Sequence, residues 1–225
     1  MSTTLITPEL DFEGAMKRLK KVVNKTPLSF NNNLSRSYGA NIFLKREDLQ
    51  VVRSYKLRGA YNMMSTLSKE QLQKGVVCAS AGNHAQGFAY SCKLLNAKGV
   101  VFMPIITPNQ KVRQTKMFGE KFIEVVLTGD TFDDCAVAAK KFTEENNMVF
   151  IPPFDDARII EGQGTVGVEI LEENHDIDYL FVPIGGGGLA AGVGTYFKTF
   201  SPKTKIIGLE PEGAPSMFEA KKAGH

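Results

Sequence analysis

The stretch RSYKLRGAY, residues 53–61, opens a helix with a crowd of cations. Ser54 is placed to cap that helix, and Leu57, Ala60, Tyr61, Met64 and Leu67 follow as an apolar stripe of helical period. Lys56 falls in the first turn, between Arg53 and Arg58. The N-terminal end of a helix is partially positive and repels cations. The helix end, the two arginines and the apolar border would each favour loss of the ammonium proton, leaving a nucleophilic amine. The alternative is a solvated basic edge, the ordinary state of a lysine.

Two further stretches share one grammar of buried strand, small-residue loop and helix start. They are VVCAS-AGNHAQG at 76–87 and YLFVPI-GGGGLAAG at 179–192. In an α/β sheet, ligands collect beyond the carboxyl ends of strands, and a helix N-terminus presents free N–H groups to an anion. Gly185, Gly186, Gly187 and Gly188 carry no side chains to obstruct a phosphate, and four in a row exceed what a tight turn needs. No Lys-Ser/Thr follows, so this is not a Walker A loop. In the first loop Ser80 and Asn83 read either as simple N-caps or, beside a second cradle, as ligands of a carboxylate. His84 reads as a polar residue of the first turn rather than as a base. An activated amine, a phosphate cradle and a carboxylate cradle together suit a phosphorylated aldehyde and an amino acid.

Such groups need a frame that brings three distant segments together. Residues 11–23 have the period of a helix that Thr26-Pro27 ends. From Asn41 the chain alternates: NIFLKRED strand, 54–68 helix, GVVCAS strand, NHAQGFAYSCKLLN helix, GVVFMPI strand, NQKVRQTKMFG helix, KFIEVVL strand, TFDDCAVAAKKFTEEN helix. Then come strands MVFIPP, DYLFVPI and KIIGLE, with helices over 157–174 and 188–200 between them. Several strands are continuous apolar runs, the mark of parallel sheet buried on both faces, so the fold class is α/β.

The bulk composition excludes other classes. The chain has 225 residues, 43% hydrophobic and 23% charged, with a net charge of +3 and no long basic block, which argues against nucleic acid. Cys78, Cys92 and Cys135 form no C-x-x-C pair, and His84, His175 and His225 are scattered, so a reduced, cytoplasmic protein without structural zinc is expected. The N-terminus lacks the pattern of a signal peptide. The uncharged run from Tyr179 to Phe197 approaches membrane-spanning length, but Pro183 and six glycines make it a strand, a turn and a buried helix.

SYKLRGA with Lys56, SAGNHAQG at 80–87 and GGGGL at 185–189 together resemble the fold type II pyridoxal-phosphate enzymes, and most of all their serine/threonine dehydratase group. TPL at 26–28 and KRED at 45–48 extend the likeness from the first helix to the last residue. The resemblance implies two doubly wound α/β domains of the tryptophan synthase β-like kind, with pyridoxal 5'-phosphate in the cleft between them. A small domain over 75–153 would be inserted in a large one made of 1–74 and 154–225. Lys56 would couple to the cofactor aldehyde and act as the catalytic base. Gly185, Gly186, Gly187, Gly188 and Leu189 would hold its phosphate, and Asn83 its ring hydroxyl. Ser80, Ala81, Gly82, Asn83 and His84 would grip the substrate carboxylate. Tyr55 stands where the group commonly has Phe.

The implied activity is deamination of L-threonine to 2-oxobutanoate and ammonia, a step towards isoleucine, with serine dehydration or racemisation as relatives of the same reaction. The implied partner is an amino acid, and the implied assembly of the full-length protein is a homo-oligomer, with neither nucleic acid nor membrane involved. The chain ends at KKAGH, where the group continues with more sheet and a contact to the pyridine nitrogen, so an incomplete large domain that folds or acts poorly alone is expected. Two rivals stand beside this reading. Gly186-x-Gly188-x-x-Ala191 after a strand, with Glu210 closing the next, imitates a dinucleotide fingerprint and an NAD-binding oxidoreductase. The abrupt end also fits an inactive remnant.

Overall fold

Residues 9–224 are described by a computed structural model of the chain. Helix α1 (Phe12–Leu19) is followed by β1 (Leu28–Phe30), α2 (Asn32–Tyr38) and β2 (Phe43–Lys45). Next come α3 (Lys56–Ser65), α4 (Lys69–Lys74), β3 (Val76–Ala79), α5 (Asn83–Leu95) and β4 (Gly99–Met103). The chain continues through α6 (Asn109–Gly119), β5 (Ile123–Leu127), α7 (Phe132–Glu145) and β6 (Val149–Phe150). It ends with α8 (Ala157–Glu173), β7 (Tyr179–Pro183), α9 (Gly188–Phe200), β8 (Lys205–Leu209) and α10 (Ser216–Ala223).

The apolar runs do form parallel sheet. Strands β5-β4-β3-β6 lie side by side in that order, every pair parallel. All residues of β3 and β4 are buried, because helices cover both faces. On one face Val76, Cys78, Val101 and Met103 pack with Met63 and Met64 of α3 and with Ala85, Phe88 and Cys92 of α5. On the other, Val77, Ala79, Val100 and Phe102 pack with Cys135 and Ala139 of α7. The three cysteines are free thiols, all buried.

The remaining strands form two separate pairs, antiparallel β1-β2 and parallel β7-β8. Val182 of β7 packs on α8 and α9 with Val166, Ile170, Val193 and Phe197. The opposite side of β7-β8 shows Tyr179, Phe181, Ile207 and Leu209 to solvent. The uncharged run 179–197 is therefore a strand, a loop and most of a helix, and among the described residues no helix is long and apolar enough to cross a membrane.

Several boundaries differ from the sequence expectation. The helix expected over 11–23 stops at Leu19, where the N–H groups of Val22 and Val23 both turn back to the Leu19 carbonyl. The helix expected over 54–68 is shorter at both ends. Ser68 does not finish it but starts α4, in a reciprocal capping box with Gln71. The strand in NIFLKRED is only Phe43–Lys45, since Glu47 turns inward to meet Arg58.

Helices α3, α8 and α9 lie against one another through glycines. A Cβ on Gly162 of α8 would sit 2.5 Å from the Arg58 carbonyl oxygen and 2.6 Å from Gly59 Cα of α3. A Cβ on Gly192 of α9 would sit 2.7 Å from the Gly164 nitrogen of α8. This contact carries a buried ion cluster. The Arg58 guanidinium, wholly buried, donates to Glu47 and Glu169 at 2.8–2.9 Å, and Lys45 reaches Glu169 at 2.8 Å. Burial pushes the Glu47 carboxyl up, but Arg58 outweighs this and holds it below its ordinary value.

Candidate active site

Lys56 is the first residue of α3. The cap expected from Ser54 is not made: the helix starts from Tyr55 in a helical conformation without a side-chain cap, and the buried Ser54 hydroxyl has no partner. The crowding of charge around Lys56 is also not what the sequence suggested. Arg53 is exposed in a left-handed turn at φ 59°, and Arg58 is neutralised inside the ion cluster. Burial alone lowers the Lys56 amine, from 10.5 to about 8. Its Nζ donates to the Pro153 carbonyl at 2.7 Å and lies 5.5 Å from the centre of the Tyr55 ring.

The loop 80–82 follows the end of β3, and α5 begins at Asn83. Neither Ser80 nor Asn83 caps α5; Gly82 is its N-cap, and the Ser80 hydroxyl accepts from the Gly82 N–H at 3.2 Å. The first main-chain bond of the helix runs from Gln86 to the Gly82 carbonyl, so the N–H groups of Asn83, His84 and Ala85 have no partner within the helix. Asn83 is exposed, whereas the ring of His84 is buried, with Nε2 at 3.0 Å from the Ile151 carbonyl. A carbonyl only accepts, so Nε2 carries the hydrogen and Nδ1, buried and unpartnered, keeps its lone pair. Burial lowers the His84 imidazole to about 4, with Lys56 adding a smaller repulsion, so the ring is neutral near pH 7.

The glycine loop follows β7. Gly187 is the N-cap of α9 at φ 85°, a left-handed conformation that suits glycine, and Ala191 makes the first helical bond to its carbonyl at 2.8 Å. The N–H groups of Gly188, Leu189 and Ala190 are thus free of helical partners. The Leu189 side chain packs with the core below. A Cβ on Gly186 would collide with the ring of Phe154, and one on Gly188 would sit 2.9 Å from the Phe154 carbonyl oxygen. Gly185 and Gly82 differ: a Cβ on either would meet no atom within 4 Å, and neither has a positive φ. The packing of the chain itself does not require glycine at these two places. A cleft of about 380 Å³ lies beside the loop, lined by Phe154, Ile160, Ile184, Gly186, Gly187, Gly188 and Met217 among others.

Three structural facts bring these pieces together. Strand β3 pairs in parallel with β6, so loops 80–82 and 151–154 leave the sheet on the same side. A Cβ on Gly87 would lie 2.9 Å from the Leu57 nitrogen and 3.0 Å from the Lys56 carbonyl carbon, so the first turn of α3 presses on α5. Consecutive residues then meet two parts of the site, Pro153 through Lys56 and Phe154 through the glycine loop. The strand expected over MVFIPP, residues 148–153, ends at Phe150, and nothing in the sequence marked 151–154 as part of the site. Glu210 is bound elsewhere: its two carboxylate oxygens accept from the N–H groups of Met217 and Phe218 at 2.8 Å, capping α10. It is not free to bind a ribose, which removes the acidic partner that a dinucleotide reading needs.

Known proteins resemble the chain throughout. It is 58% identical over 211 residues to the biosynthetic L-threonine dehydratase IlvA of Halalkalibacterium halodurans, covering 93% of the chain and 51% of that protein. The chain spans about half the length of the curated relatives it matches. Among solved structures, the processed form of threonine deaminase isoform 2 from Solanum lycopersicum superposes with a TM-score of 0.90 at 47% identity, over 95% of the chain and 58% of its own. Maize serine racemase gives a TM-score of 0.90 at 34% identity, over 95% and 64%. The α/β architecture expected from the three motifs is therefore the fold type II arrangement. The model of the family described as pyridoxal-phosphate dependent enzyme matches residues 19–225, which include Lys56 and the loops before α5 and α9, and the chain belongs to that family.

Proposed function

We propose that the chain carries the catalytic lysine and ligand cradles of a threonine ammonia-lyase, converting L-threonine to 2-oxobutanoate and ammonia. The observation that carries this reading is the half-buried Lys56 amine, lowered to about 8 and hydrogen-bonded to the residue next to the one that backs the glycine loop. The threonine-acting relatives support the choice of substrate; serine dehydration or racemisation remains a second reading because of the likeness to serine racemase.

The residues present fit pyridoxal 5'-phosphate. Open space in front of Gly185 and Gly82, without any demand from packing, is what a ligand close to both loops requires. Lys56 would bind the cofactor aldehyde, the N–H groups of Gly185, Gly186, Gly187, Gly188 and Leu189 its phosphate, and Asn83 its ring hydroxyl. When bound, the cofactor supplies a sink for the electron pair left at the substrate Cα.

The chain's own part is positioning and proton transfer. The N–H groups at the head of α5, with Ser80, Ala81, Gly82, Asn83 and His84, hold the substrate carboxylate against the partial positive charge of the helix end. For His84 the main-chain N–H serves, because its ring faces Ile151. An amine near 8 is part neutral at pH 7, so Lys56 can take the Cα proton, and a proton delivered to the β-oxygen balances its departure as water. Loss of the β-hydroxyl as water and hydration of the product leave 2-oxobutanoate and ammonia, with no net water consumed. Residues 75–153 would form a small domain and the flanking segments a larger one, in a cytoplasmic protein that assembles as a homo-oligomer.

The test is a spectrum of the purified chain with pyridoxal phosphate, followed by threonine and a keto-acid assay. Lys56→Ala should lose both the absorbance of the lysine-bound cofactor and all turnover. A variant that keeps that absorbance would assign the covalent link elsewhere.

A further inference from the structure

The connector between β6 and α8 touches three parts of the site within four residues. Ile151 receives His84 of α5, Pro153 receives Lys56 of α3, and Phe154 fills the space behind Gly186 and Gly188 at the head of α9. No regular structure holds it: β6 ends at Phe150 and α8 begins at Ala157. At its start the Ile151 N–H still donates to Val77 at 2.8 Å. The Ile151 side chain is fully buried, and among the described residues its carbonyl has one partner, His84 Nε2. A buried carbonyl deprived of its donor loses a hydrogen bond and gains nothing from water.

We propose that His84 is a positioning residue. Its ring N–H fixes the Ile151 carbonyl, and thereby sets the connector where Pro153 meets Lys56 and Phe154 supports the glycine loop. The role rests on the reading of the site as a pyridoxal-phosphate site and concerns only this chain's own residues. The geometry suits it. The imidazole is neutral, so no charge must be buried, and its tautomer is dictated by the carbonyl it meets. The ring is packed at 3% exposure and has few rotamers to lose. A histidine acting instead on the substrate carboxylate through its ring would have to turn away from Ile151.

Binding of pyridoxal phosphate tests this without turnover, by titrating the absorbance of the lysine-bound cofactor in the parent chain, His84→Ala and His84→Gln. The expected result is about tenfold weaker cofactor binding in His84→Ala, as one lost buried hydrogen bond implies. His84→Gln, whose amide N–H reaches as far, should recover most of it. Phe154→Ala, at a half-buried site, should weaken cofactor binding in the same direction, and it serves if His84→Ala does not fold. Unchanged cofactor affinity in His84→Ala, with only a raised KM for threonine, would overturn the inference and make His84 a substrate ligand. Unchanged affinity in Phe154→Ala would likewise overturn it. A parent chain that shows no lysine-bound cofactor would overturn the underlying reading instead.

Discussion

Lys56 shows how a position can be legible while its physical cause is not. Its place at a helix start, followed by an apolar stripe, could be read from the sequence. Of the three causes of lowered basicity that the sequence offers, the helix end, the two arginines and the apolar border, the dominant one could not, because it depends on what covers the amine. Arg58 looked like a repelling neighbour only two residues away, yet its guanidinium points into the α3–α8 contact, paired with acids from distant segments. No local pattern announces Glu47 and Glu169 as its partners. Burial as the cause has a consequence for stability. The amine has a folded pKa of about 8 against 10.5 unfolded, so between these values the unfolded chain binds more protons. Stability should therefore rise with pH from about 8 to 10.5, as the penalty for the buried ammonium is relieved. Lys56→Met should stabilise the chain at pH 7 by roughly 1–3 kcal/mol and flatten that rise. Urea melts at pH 7 and pH 10 provide the measurement.

At the scale of elements, long periodic segments were readable and short ones were not. Helices over 83–95, 132–145 and 188–200 have repeating apolar positions and clear caps or glycine starts, and all are present. Strand β1, helix α2 and helix α4 were missed; β1 has three residues, and neither α2 nor α4 buries a side chain. Their existence depends on neighbours more than on pattern. The glycines divide by role in a way the sequence alone could not show. Gly162 lets α3 and α8 touch, whereas Gly82 and Gly185 face open space. Gly162→Ala should push the helices apart and lower Tm by about 4–8 °C, from an overpacking cost of roughly 2 kcal/mol. Gly82→Ala and Gly185→Ala should leave Tm within about 2 °C of the parent yet weaken binding of threonine and of pyridoxal phosphate respectively. Thermal melts paired with ligand titrations separate the two classes.

The molecule as a whole is uneven. Its four-stranded sheet is enclosed by helices on both faces, while β7-β8 is a pair with aromatic and aliphatic side chains turned outward; Phe181 is 60% exposed. The α/β class was visible from the apolar runs, because continuous burial leaves its mark on each strand. The grouping of strands into a set of four and two pairs was not, since it is decided by which helices intervene. The site reflects the same limit: its three motifs could be read one by one, but the connector that joins them could not, because it acts mostly through main-chain carbonyls that any residue type supplies.

The three cysteines give this unevenness a practical use. Cys78 and Cys92 share one side of the four-stranded sheet and Cys135 lies on the other, and burial raises all three thiols above their ordinary value. The rest of the molecule carries no sulfhydryl. A thiol-labelling reagent should therefore report on the breathing of that layer alone, and blind to motion elsewhere. Mass spectrometry of intact labelled chains would show whether the two sides open in one step or one after the other.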